Sequence, residues 1–105
     1  MKAFVRPAAR EDILRQYRYY LLADAFDAAN RFLEAVDNSI GRLVAMPQMG
    51  APQRFRNPAL GGLRSWPVKD FEDIHIYYVI RNDVLRVVRV LHRKRDVRTL
   101  LEKTD

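Results

Sequence analysis

Apolar positions divide the chain into a first half with helical spacing and a strand-rich last third. Between Ala8 and Leu22, Ala9, Ile13, Tyr17 and Tyr20 or Leu21 recur on one face and predict a helix. Pro7 suits its first turn, where a missing N–H costs nothing, and Glu11 and Asp12 are expected to complement the helix dipole. Ala29, Phe32, Val36, Ile40 and Leu43 form a second stripe, which predicts a helix from Ala25 to Met46 with Asp24 as N-cap. The join between the helices is short, so they should form an antiparallel hairpin. Lys2–Arg6 predicts a short strand. Leu63–Val68, Ile74–Ile80 and Val84–Leu91 are rich in β-branched and aromatic residues and predict three more. Arg81-Asn82-Asp83 joins the last two as a tight turn, because Asn and Asp tolerate left-handed dihedrals. Val97, Leu100 and Leu101 predict a short C-terminal helix capped by Asp96. Pro47–Gly62 holds three prolines and three glycines in sixteen residues and is expected to be irregular.

The order strand, two helices, three strands, short helix defines an α+β fold. A small, mainly antiparallel β-sheet should pack against the N-terminal helical hairpin, with Trp66, Phe32 and Tyr77 or Tyr78 meeting between the layers. The pattern leaves the place of the first strand in the sheet open. With 105 residues, 49% of them apolar, the chain reads as one folded domain over residues 1–105.

Composition narrows the chemistry. The chain has no cysteine, which excludes disulfides and thiolate metal sites. Its two histidines lie seventeen positions apart and make a poor metal set, so neither a metal nor a cofactor is expected. No apolar run approaches the ~18 residues of a membrane span, and the N-terminus has no signal-peptide core. A cytoplasmic protein is therefore expected. Charge is concentrated: Arg86 to Arg98 contains six Arg or Lys and one Asp, a net +5 in a chain of net +6. Such a cluster suits a phosphate or an acidic protein segment, although it would also keep a sheet rim soluble.

Few constellations suggest catalysis. Ser65, His75 and Asp96 supply the types of a hydrolytic triad, but no nucleophile motif surrounds Ser65. Glu72 and Asp73 read as loop solvation. Tyr17, Tyr19 and Tyr20 read as helix packing with wet hydroxyls. His92 lies among Arg93, Lys94 and Arg95, whose charges disfavour its imidazolium. A neutral base flanked by arginines would suit a ribonuclease-like site; a histidine bonded to backbone at a strand end is the plainer reading.

Several segments, taken in order, resemble the RelE/ParE toxin superfamily of bacterial type II toxin–antitoxin systems. They are Met46-Pro47-Gln48-Met49-Gly50, Gly62-Leu63-Arg64, Ile74-His75-Ile76-Tyr77-Tyr78, and Val90-Leu91-His92 followed by Arg93-Lys94-Arg95-Asp96. RelE-like members of this superfamily cleave mRNA in the ribosomal A site, with basic residues on the sheet and often a C-terminal tyrosine. ParE-like members share the fold and poison DNA gyrase. Lys69 matches the lysine of the nuclease set, but His75 stands where an arginine is usual and residues 97–105 contain no tyrosine. The Trp66-Pro67-Val68-Lys69 strand and the basic ending look ParE-like.

The resemblance thus implies a gyrase-directed toxin, a binding protein without catalytic residues, of the kind found in plasmid stabilization. Arg93, Lys94, Arg95 and Arg98 would be its target contacts. The alternative it implies is a ribosome-dependent mRNA interferase built on His92, Arg93, Arg95 and Lys69. Either way it implies a cognate antitoxin from the same operon, in a hetero-oligomer. The antitoxin's acidic, disordered tail would fold along the helical hairpin and the sheet edge.

Overall fold

Pro7 opens the first helix, as its fixed φ and missing N–H favour. The computed structural model describes residues 1–103. Its elements are β1 (Lys2–Val5), α1 (Pro7–Leu22), α2 (Phe26–Ala45), β2 (Ala51–Pro52), β3 (Arg64–Val68), β4 (Phe71–Arg81), β5 (Val84–His92) and α3 (Val97–Glu102), with a 3-10 turn over Pro58–Leu60. The α+β order is the expected one with a two-residue strand added. That strand lies inside the Pro/Gly-rich segment, where Ala51 and Pro52 pair with Ser65 and Arg64.

Asp24 differs from its expected role. It has φ 57° and ends α1 instead of capping α2. Its N–H donates to the Leu21 carbonyl and the Ala25 N–H donates to that of Tyr20, which satisfies the carbonyls a helix end leaves open. The N-cap position of α2 falls to Ala25, with no side-chain cap.

The sheet runs β1-β5-β4-β3-β2. Only β1 is parallel to its neighbour, Lys2 to Val5 facing Val84 to Val87. Asn82 and Asp83 both have positive φ, 54° and 61°, as a two-residue hairpin turn requires to match strand twist. Pro67 lies on β3 beyond the reach of β2, at an edge position that tolerates its missing N–H.

Both faces of the sheet are buried. Phe32, Val36 and Leu43 of α2 pack with Ala9 of α1 on Ile74, Ile76, Tyr78, Val87 and Val90. Tyr77, Val79, Val88 and Leu91 face the other way, under Leu60, Leu63 and Leu101. Alternation along β4 thus splits the two tyrosines, and Tyr78 is the one that joins Phe32. Trp66 is only partly buried at the margin of that cluster. The Tyr78 hydroxyl donates to the Pro47 carbonyl at 2.7 Å and accepts from the Gly50 N–H at 2.9 Å. A Cβ at Gly50 would lie within 3.0 Å of that ring and hydroxyl, so only glycine fits there.

Asp12 is also redirected. Glu11 and Asp12 lie beyond the first turn of α1, and Asp12 is buried against β5. It accepts from Arg89 Nε at 2.7 Å and Arg89 Nη2 at 2.8 Å, and from the Val90 N–H at 3.0 Å. The pairing of β4 with β5 steps from Tyr77–Arg89 to Tyr78–Val87 and skips Val88. This bulge lies where β1 has already ended, and Asp12 takes over the N–H that a neighbouring strand would have bonded. A charged residue three positions from Ala9 and next to Ile13, on the predicted apolar face, was the available sign of that role.

Candidate functional site

The end of β5 leaves the sheet through a turn organised by His92. Its Nδ1 accepts from the Lys94 N–H at 3.1 Å and its carbonyl accepts from the Arg95 N–H at 3.0 Å. Asp96 then N-caps α3 by accepting from the Thr99 N–H, which turns the chain back beneath the sheet. This cap was legible in the sequence. The turn exposes Arg93, Lys94 and Arg95 together.

Their surroundings separate the four basic residues expected to touch a target. Arg93 Nε pairs with Asp73 Oδ1 at 2.8 Å, and the Arg93 N–H donates to the Asp73 carbonyl. Lys94 and Arg95 line a cleft of about 310 Å³ with His92 and, from α1, Gln16 and Tyr19. Arg98 lies over the Phe55 ring, 4.7 Å from its centroid, beside the cluster under the other face of the sheet.

Of the nuclease alternative, His92, Arg93 and Arg95 lie together on this turn, and Lys69 belongs to the β3–β4 connection. Lys69 lines a cleft against α2 with Arg31, Glu34 and Asn38, and that cleft shares Asp70 and Phe71 with one that reaches His92. The Nδ1 lone pair of His92 is already engaged by the Lys94 N–H. His75 stacks on Tyr77 at 6.2 Å, and its pKa is lowered mainly by burial. The residues of the imagined triad are likewise engaged elsewhere: Ser65 Oγ accepts from Gln53, and Asp96 caps α3. Glu72 and Asp73 belong to β4 and not to a loop. With Asp70 they line a cleft of about 400 Å³ that reaches Tyr20 and His92. His92 therefore stands between an acidic cleft and a basic one.

The tyrosines of α1 have different surroundings. Tyr20 packs edge-on against Phe32 at 5.7 Å and near Phe71 at 5.8 Å, and burial raises its pKa. Tyr19 is 64% exposed, and Leu22 and Phe26, near the tip of the hairpin, are 87% and 57% exposed. Among the described residues no helix is long and apolar enough to cross a membrane, and no group of three or more His, Asp or Glu could hold a metal ion.

A family model described as the ParE toxin of the type II toxin–antitoxin system parDE matches residues 4–97. That span holds Lys69 and His92 to Arg95 and stops just short of Arg98. No curated protein matches the chain. Among solved structures, the chain is similar to one described as a chromosomal ParDE toxin–antitoxin system from P. aeruginosa. The TM-score is 0.71 and the identity 14%, over 88% of this chain and 95% of that one. At that identity the likeness is one of fold.

Proposed function

The chain belongs to the ParE toxin family of type II toxin–antitoxin systems, and from that premise we propose that it inhibits DNA gyrase and is neutralised by a cognate antitoxin. The observation that carries the gyrase reading is the exposed basic turn after β5. Lys94 and Arg95 face solvent beside Tyr19, and among the described residues neither takes part in an ion pair, so they are available to a macromolecular target. Acid–base cleavage of RNA would need a free base, and the Nδ1 of His92 is held by the Lys94 N–H. In this reading the toxin breaks no bond itself. It binds gyrase and holds a cleaved-DNA state, with Lys94 and Arg95 as the leading contacts and Arg93 and Arg98 flanking them.

The antitoxin reading rests on apolar exposure and on charge. Phe26 and Leu33 are seven positions apart on α2, hence on one face, and both are exposed, as is Leu22 before them. A chain of net +6 with such a face suits an acidic, amphipathic segment that folds on binding.

A supercoiling assay and a ribosome-dependent mRNA cleavage assay on the same purified toxin test the target. Loss of supercoiling with accumulation of cleaved DNA is the expected result, and antitoxin from the same operon should reverse it. Cuts in ribosome-bound mRNA with supercoiling intact would instead establish the interferase alternative and reassign His92 as catalytic.

A further inference from the structure

We propose that the cleft between α1 and the end of β5 is a notch for one nucleotide of a single nucleic-acid strand, with the Tyr19 ring as stacking platform and Lys94 and Arg95 as the phosphate clamp. The cleft measures about 310 Å³ and is lined by Gln16, Tyr19, His92, Lys94 and Arg95, with no carboxylate among them. Tyr19 is the exposed member of an edge-on pair with Tyr20, whose ring is fixed in turn by Phe32 and Phe71. Much of the Tyr19 ring is thus open on a rigid support. An exposed aromatic beside free cations is the arrangement that holds single strands, the ring taking a base and the cations its phosphate. The Gln16 amide hydrogen-bonds the Tyr20 side chain, and its remaining capacity faces the same cleft.

The neighbouring groups give the site a direction. On the far side of His92 the cleft is lined by Asp70, Glu72 and Asp73, which repel phosphate. Arg93 is turned toward that side and paired with Asp73. A strand would therefore run over Lys94 and Arg95 and away from β4. An acidic peptide would satisfy the cations alone, whereas the open Tyr19 ring favours a nucleotide.

The test is fluorescence anisotropy of a labelled oligothymidylate titrated with the purified chain across a salt series. Tyr19→Ala should weaken binding roughly ten-fold, the scale of one lost base stack, whereas Tyr19→Phe should retain it. The double variant Lys94→Gln, Arg95→Gln should flatten the slope of log K against log salt by about 1.4, as expected for two lost phosphate contacts on a single strand. Arg31→Gln on α2 is the control and should change nothing. Circular dichroism verifies folding of each variant. Parent affinity in the Tyr19→Ala variant would overturn the proposal. So would equal affinity for a duplex of the same length, or displacement of the oligonucleotide by polyglutamate at equal charge. No gyrase is present in this assay, so its outcome is separate from that of the supercoiling measurement.

Discussion

Arg89 and Arg93 sit four residues apart on the same stretch of chain, each paired with an aspartate at almost the same distance, 2.7 and 2.8 Å. Their surroundings are opposite. The side chains of Arg89 and Asp12 are 12% and 2% exposed, while those of Arg93 and Asp73 are 71% and 53% exposed. The inner pair is bidentate, takes in the Val90 N–H, and joins α1 to β5. Asp12 binds the Arg89 proton more firmly than water would, which raises the arginine's pKa. The outer pair has a single side-chain bond in high-dielectric solvent, where such pairs contribute little. One arginine is therefore committed to the fold, and the other can exchange its carboxylate for another anion.

Removing the inner carboxylate should have the largest effect. Asp12→Ala removes the buried carboxylate that Arg89 and the Val90 N–H share, a loss of about 3–5 kcal/mol expected in urea denaturation. Asp12→Asn, which keeps an acceptor for the N–H, should lose less, about 1.5–3 kcal/mol. A loss below about 1 kcal/mol for Asp12→Ala would put the two pairs in the same class and end the contrast.

Asp73→Ala should change stability by no more than about 1 kcal/mol. It should instead free Arg93 and strengthen binding of a polyanion, measured with the labelled oligonucleotide. Unchanged affinity would mean that Arg93 points away from the binding surface even when released. Salt refines the distinction. Going from low to high ionic strength should erase the small effect of Asp73→Ala and leave that of Asp12→Ala nearly intact, because buried pairs are screened much less.

A third carboxylate extends the series to an exposed cap. Hydrogen bonds to Thr99 hold the Asp96 carboxyl below the usual range. Its folded pKa is depressed, so the contribution is complete above the unfolded value of about 3.9. It disappears as pH falls through the lower folded value. Amide exchange of Thr99 should quicken over that acid interval and stay level in Asp96→Asn. The same acceleration in the variant would assign it to another carboxylate.

The inner pair also marks where the sequence stops being legible. Both long helices, the three-stranded meander, the Asn82-Asp83 turn and the Asp96 cap follow from local spacing and turn chemistry, and all lie close to where pattern puts them. Asp12 does not, because its partner is 77 residues away and dipole compensation explains an early acid equally well. Asp24 was ambiguous for a related reason: an aspartate between two helices can end one or start the next, and the left-handed φ that decides it is a property of the reversal. The parallel pairing of β1 with β5 leaves no local mark. Nor does the second core, where Leu60 comes from a segment that prolines and glycines made look empty. Of the candidate site, the basic run was readable from charge. Its division among Asp73, the α1 cleft and Phe55 was not, since each of those partners lies on a distant segment.

The parallel strand also orders events in time. Lys2 is made well before its partner Val84, with two long helices and three strands between them. Until then β1 has no neighbour, and α1 has no β5 against which Asp12 can close. Local pairs such as the β4–β5 hairpin can form as soon as they are synthesised, whereas this closure must wait for contacts far apart in sequence. During translation the nascent chain therefore carries an unpaired strand and an unanchored helix until β5 has emerged to close the sheet.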